Sequence, residues 1–188
     1  MEFFKLNNGT QMPMAGIGVF TFTPAEAQAA IESALRDGIR LIDTANAYQN
    51  EKATGRAMKA SGVKREDIYL VTKLWPSVYE SETAVDDTLR RLDTDYIDLL
   101  FLHQPTDNWQ AGYRNIEKAV KAGKVRSLGT TLALATDHLL HLSSALQAFT
   151  LMYMVFPIGR ESQISLPTVS NLPPSFSLKS ELKENSPK

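Results

Sequence analysis

Four side chains in this 188-residue sequence have types and spacing that suit one reaction. The stretch "LIDTANAYQNE" ends an apolar run on Asp43 and then carries Tyr48, with the polar pair Asn50 and Glu51 close behind. Lys73 ends the run "DIYLVTK", and His103 ends "YIDLLFLH". A phenol has an ordinary pKa of ~10, too weak an acid to protonate a carbonyl oxygen quickly near neutrality. An ammonium within a few Å stabilises the phenolate and can lower that pKa by ~1–3 units. The ammonium would lose its own charge in a dry site without a carboxylate partner, which gives Asp43 a role beside Lys73. Tyr48 then serves as general acid, and His103 donates a hydrogen bond that orients the carbonyl. The set suits carbonyl reduction. No side chain supplies hydride, so a nicotinamide cofactor is implied. A purely structural Lys73–Asp43 ion pair is the other reading of these residues.

The elements that must position these groups alternate along the chain. "FFKL-NNG-TQMPM" reads as a hairpin around Asn-Asn-Gly, whose residues tolerate positive φ. "AGIGVF" is the first strand after it. Thr23, Pro24 and Glu26 form a helix start, and Gly38 is the left-handed stop. "IRLID" is the next strand, followed by a helix from about Asn50 to Ser61 that ends at Gly62. "DIYLVTK" precedes a helix from about Ser81 to Leu92, and "YIDLLFLH" one from about Asn108 to Ala122, stopped by Gly123. "KVRSLG" begins a fifth strand. The strands are near-continuous apolar runs, as in a parallel sheet covered on both faces, and each is followed by a helix. Asp43, Lys73 and His103 recur at intervals of thirty residues, each at the C-terminal end of a strand. In a parallel α/β sheet those ends share one rim, the side on which chemistry is done.

Composition sets the class. The chain is 43% hydrophobic and 22% charged, with a net charge of −1. It reads as an ordinary globular protein with no basic field for nucleic acid or anionic lipid. The absence of cysteine excludes disulfides, Cys-ligated zinc and a thiol nucleophile. "MEFFKLNNGT" has no secretory pattern, so a cytoplasmic location is expected. His138 and His141 in "HLLH" lack a carboxylate cluster, so no metal site is expected there.

From about Phe4 to Gly129 the chain resembles the N-terminal part of the aldo-keto reductases. "MPMAGIGVF", "LIDTANAYQNEKATG", "REDIYLVTKLW", "TLRRLDTDYIDLLFLHQP" and "GKVRSLG" are similar to that family's successive signatures, in order and at family spacing. The resemblance implies a (β/α)8 TIM-type barrel, present here in part, that reduces aldehydes or ketones with NADPH. It implies Tyr48 as proton donor, tuned by Lys73 and Asp43, with His103 on the substrate carbonyl. It also implies Gly18 and Val19 beside the nicotinamide, Asp43 on its ribose, and Phe20 and Trp75 in the substrate pocket with Tyr48 and His103. Gln104 stands where many relatives carry tryptophan, which makes one pocket wall more polar.

Beyond the fifth strand the pattern departs. The family reads Gly-x-Ser-Asn there and holds the nicotinamide carboxamide with the Ser-Asn pair. This chain reads Gly129-Thr130-Thr131-Leu132, and leucine cannot hydrogen-bond an amide. A whole barrel takes roughly 200–250 residues or more, whereas only about 129 here carry the pattern. Residues 130–158 form a nearly uncharged apolar segment, and residues 159–188 a Ser/Pro-rich tail expected to be disordered. The apolar run from Ala145 to Ile158, about 14 residues, is short of the ~18–20 a membrane span needs. The alternative to a reductase is therefore a truncated fragment, frameshifted or alternatively spliced, non-catalytic and with at most an interaction role. An arc of strands exposes two edges and an apolar inner face. "LMYMVF" is the natural segment to cover an edge, and self-association through exposed edges is expected. Size-exclusion chromatography with light scattering checks this: a species larger than a single chain is expected, and a monodisperse monomer with a cooperative melt would overturn it.

Overall fold

The computed structural model describes residues 2–6, 8–104, 106–132 and 152–155. The hairpin forms as the Asn-Asn-Gly turn requires: β1 (Phe3–Lys5) pairs antiparallel with β2 (Gln11–Pro13), and Gly9 between them has φ +87°. A second sheet holds six strands in chain order: β3 (Gly16–Gly18), β4 (Leu41–Asp43), β5 (Tyr69–Leu74), β6 (Ile97–Leu102), β7 (Val125–Leu132) and β8 (Met152–Val155). β3 to β7 are mutually parallel, and β8 closes the β7 edge antiparallel. This is the topology of the first part of a (β/α)8 barrel, in which each parallel strand lies beside its predecessor. "LMYMVF" was the segment expected to cover an edge, and four of its residues do so.

Four helices follow β3, β4, β5 and β6: α1 (Pro24–Arg36), α2 (Glu51–Ala60), α3 (Ala84–Leu92) and α4 (Trp109–Lys121). Thr23 caps α1 with a full capping box to Glu26, and Gly38 leaves it at φ +90°. α3 starts three residues later than the sequence suggests. The side chain of Asn115 on α4 takes the carbonyls of Tyr79 and Ser81, which holds that stretch as turn. α2 begins at Glu51, and the Asn50 side chain makes no capping bond, being spent elsewhere (below).

Register explains the two faces of the sheet. Ile17, Ile42, Leu70, Leu74, Leu100, Leu102 and Leu128 belong to the large core under the helices. Val71, Leu99 and Phe101, with Leu41 and Tyr69 against them, form a second cluster on the other face. Asp43 pairs in register with Val71, and Lys73 with Phe101, so both share that second, inner face. His103 lies two residues beyond Phe101 and continues the same row. Its N–H donates to Leu74 O at 2.9 Å, which carries the β5–β6 pairing onto the rim.

The hairpin closes the opposite end of the arc. Asn8 Nδ2 donates to Ser127 Oγ at 2.8 Å, and Thr10 Oγ1 donates to Asn8 Oδ1 at 2.7 Å. At that end Asp98, nearly fully buried, accepts from Arg65 and Arg126, each at 2.9 Å, and from the Leu70 N–H. The two guanidiniums sandwich the Tyr96 ring at 3.9 and 4.0 Å from its centroid. Among the described residues no helix is long and apolar enough to cross a membrane. The expectations for residues 133–151 and 156–188, including His138, His141 and the Ser/Pro-rich tail, lie outside the described residues.

α2 and α3 touch at Gly55. A Cβ there would lie 2.3 Å from Leu92 O and 2.7 Å from Leu92 C, both backbone atoms that cannot swing away. Gly55→Ala is expected to destabilise the fold by ~1–3 kcal/mol, the usual cost of overpacking, as measured by chemical denaturation.

Candidate active site

The rim is built around a buried cation. Lys73 is fully buried on β5, and its ammonium is held by the Asp43 carboxylate from β4 and by Thr44 O at 3.0 Å. The Asp43 side chain keeps 21% exposure, so the pair has one dry end and one end open to the rim. Tyr48 stands in a short 3-10 turn, Asn46–Tyr48, between β4 and α2, and Gln49 ends that turn in the left-handed region at φ 59°. The Lys73 ammonium lies 5.4 Å from the Tyr48 ring centroid. His103 meets Tyr48 edge-on at 6.0 Å between centroids, and Trp75 edge-on at 4.9 Å. Phe20, 66% exposed, tilts against Tyr48 at 4.9 Å. Asp43, Tyr48, Lys73, His103, Phe20 and Trp75 are thus brought together in one continuous site.

Gly18 and Val19 divide. Gly18 is exposed at the end of β3, and a Cβ there would meet nothing within 4 Å. Val19 is fully buried in the main core, its N–H donates to Asp43 O at 3.1 Å, and its carbonyl accepts from Asn50. The Val19 side chain therefore faces the core and not the rim.

Electrostatics departs from expectation at Tyr48. Burial, with the negative charge of Asp43 adding to it, pushes the phenol up to about 12, where the sequence suggested that Lys73 would pull it down. The Lys73 ammonium is paired with Asp43, and the dry surrounding of the phenol outweighs any help from that cation. Burial also pushes Lys73 below its ordinary value, opposed by Asp43. Burial lowers His103 below its ordinary value, with the Lys73 charge adding and a backbone hydrogen bond and the Asp43 charge opposing, which favours the neutral imidazole near pH 7.

Several positioning residues carry no obvious motif. Asn50 is fully buried: its Nδ2 donates to Val19 O at 2.8 Å and Phe22 O at 3.3 Å, and its Oδ1 accepts from Thr44 Oγ1 at 2.8 Å. One side chain therefore ties the loop after β3 to the residue whose carbonyl holds Lys73. Asn46 Oδ1 accepts from the Trp75 N–H at 2.9 Å. Glu51 is buried between Thr72 Oγ1 at 2.8 Å and Arg91 Nε at 2.6 Å, and burial raises its pKa against both. The sequence signal for Asn50 and Glu51 was their polarity directly after an apolar run.

The tyrosine shifts have a consequence for stability against pH. Tyr48, Tyr69 and Tyr79 are each pushed from 10.0 to about 12, with burial the largest cause. A group with a raised folded-state pKa contributes stability that is present below its unfolded value and lost as pH rises through the folded one. Melting temperature is expected to fall steeply between about pH 10 and 12, and less steeply in Tyr48→Phe. Thermal melts across that range check it.

With this geometry in hand, the chain can be set beside known proteins. Residues 7–146 match the family model for the aldo/keto reductase family. The chain is 42% identical over 131 residues to morphine 6-dehydrogenase of Pseudomonas putida, an alignment covering 66% of this chain and 44% of that protein. It is 39% identical over 132 residues to glyoxal reductase of Bacillus subtilis, covering 68% of this chain and 48% of that one. Among solved structures, an aldo/keto reductase from Brucella melitensis superposes with a TM-score of 0.66 at 41% identity, over 69% of this chain and 52% of the other. The chain spans about half the length of the relatives it matches. The family match covers the whole described rim, from Gly18 to His103, and the chain belongs to the aldo/keto reductase family.

Proposed function

We propose that this site performs NADPH-dependent reduction of a small aldehyde or ketone to the alcohol, with Tyr48 as proton donor. The observation that carries the reading is the buried Lys73–Asp43 pair beside the Tyr48 ring, with His103 edge-on to the same ring. A lysine sealed in a sheet interior is costly, and placing it against a tyrosine serves proton transfer better than it serves stability. Names among the relatives, glyoxal reductase and methylglyoxal reductase, favour small carbonyl substrates for this chain as well.

The residues present fit the nicotinamide–ribose end of the cofactor. Gly18 offers exposed backbone with open space above it, and the partly exposed Asp43 carboxylate can accept from a ribose hydroxyl. Val19, with its side chain in the core, supports that surface from beneath. When bound, the cofactor supplies the hydride. Neutral His103 donates a hydrogen bond to the carbonyl oxygen and fixes its direction. Tyr48, protonated throughout the working range, gives its proton to that oxygen as charge develops there. Lys73 then stabilises the phenolate, and Asp43 keeps Lys73 charged while it does so. Phe20 and Trp75 provide apolar walls that keep water from the reacting carbon.

Cofactor affinity is expected to be weak. Leu132 stands where the carboxamide contact of the family lies, so that end of the nicotinamide gains no hydrogen bond from it. Titration with NADPH, followed by nicotinamide fluorescence, should give no saturation in the low micromolar range. Reduction of methylglyoxal by the full chain at high cofactor concentration tests the function directly. Tyr48→Phe should lower turnover by ~10²–10⁴, the usual worth of a general acid. Lys73→Met should be similarly damaging, because the phenolate then forms without a cation. Unchanged turnover in Tyr48→Phe would overturn the assignment. A wild-type chain that reduces no carbonyl would leave the non-catalytic fragment as the better description.

A further inference from the structure

We propose that Tyr79 is a positioning residue for His103: its hydroxyl clamps the backbone of Gln104 and so sets where the imidazole stands between Trp75 and Tyr48. This rests on the carbonyl-orienting role given to His103 above. β6 ends at Leu102, and the last strand-like bond on this side is His103 N–H to Leu74 O. One residue further, the Gln104 carbonyl accepts from the Thr106 N–H of the following turn at 3.1 Å, and the Tyr79 side chain supplies the bonds that reach across from the β5 side. The Tyr79 hydroxyl donates to Gln104 O at 2.9 Å and accepts from Gln104 N at 2.9 Å. A phenol can do both at once, because it carries one donor and free lone pairs. Two bonds from one oxygen to both polar atoms of one residue restrain its rotation as well as its position.

The oxygen is itself held from outside the rim. Tyr79 is fully buried, and its ring packs against α4 at Gly112, where a Cβ would lie 2.8 Å from Tyr79 Cγ. Asn115 Nδ2 donates to Tyr79 O at 2.8 Å, and Asn108 Nδ2 to Pro76 O at 3.1 Å, so α4 holds the turn from both ends. Burial pushes the Tyr79 phenol up to about 12, so it remains a donor at any working pH. Among the described residues, the groups facing His103 include Tyr48, Trp75 and the charges of Lys73 and Asp43, which reach it from β4, from β5 and the residue after it, and from the loop between β4 and α2. Tyr79 ties the position of His103 to the helix layer through Gln104. A core aromatic with no further role would need only its ring, and phenylalanine would serve equally well.

Tyr79→Phe separates the two, since it keeps the ring and removes the clamp. In the full-length variant, with circular dichroism showing the fold retained, the Gln104 amide should exchange with solvent at least ~10-fold faster. The His103 ring resonances should move in the NMR spectrum, and the imidazole should titrate closer to its ordinary value. Turnover should fall by ~10- to ~100-fold with a much smaller change in KM, as expected for a misplaced orienting group. Ring resonances and titration of His103 that match wild type would overturn the proposal. These two readouts do not require activity, so a chain that reduces no carbonyl would count against the reductase function while His103 still decided the role of Tyr79. The wild-type chain gives a second measurement if the variant fails to fold. Its Gln104 amide should be protected like those of β6, and exchange as fast as an exposed loop amide would overturn the clamp.

Discussion

A lysine ammonium sealed inside a parallel sheet constrains everything around it. The desolvation of such an ion costs several kcal/mol even after relaxation, and leaving it without its partner costs ~3–5 kcal/mol. Lys73 therefore requires Asp43 on the same face of the neighbouring strand, and the β4–β5 register supplies it. A slip of one residue would turn one of the two to the helix side and strand a charge in the core. The carbonyl of Thr44 completes the shell, and that carbonyl is placed by Asn50 through the Thr44 hydroxyl. The same asparagine anchors the loop that carries Phe20. The geometry of the rim is thus a consequence of satisfying one cation.

The pair is also unequal in its surroundings. Lys73 has no exposure, while Asp43 has some, so the negative end faces the rim. Burial, with the Asp43 charge adding to it, holds the Tyr48 proton more tightly than in water. A tightly held proton is released only when a strong base develops beside it. That suits transfer to an oxygen that becomes basic in the transition state, and it disfavours loss of the proton to solvent beforehand.

Much of this was legible in residue order. Uninterrupted apolar runs ending on Asp43, Lys73 and His103 gave the parallel strands, their shared rim and the three groups on it. Tyr48 followed from its place in the loop. Its pKa did not, because the sign depends on which of Asp43 and Lys73 stands nearer and on how dry the pocket is, neither of which a spacing contains. Tyr79 carries no signal in the sequence, since the atoms it serves belong to the backbone of Gln104 and leave no trace in side-chain identity. The family resemblance placed Val19 with Gly18 beside the nicotinamide, and alternation at the strand end sends the Val19 side chain into the core. Residues 152–155 were recognisable as edge-seeking from their apolar run. Their antiparallel direction was not, as hydrophobicity has no polarity.

The succession of strands also bears on how the site comes into being. Each parallel strand pairs with the one made just before it, so every pairing closes a loop of similar, modest length. A chain leaving the ribosome can add its strands in the order of synthesis. The carboxylate of Asp43 is then in place on β4 before Lys73 arrives on β5, and β6 with Phe101 and His103 covers them last. The ammonium is neutralised before it is dried. Vectorial assembly in that order spares the chain the intermediate it could least tolerate, a bare cation enclosed by strands with nothing to hold it.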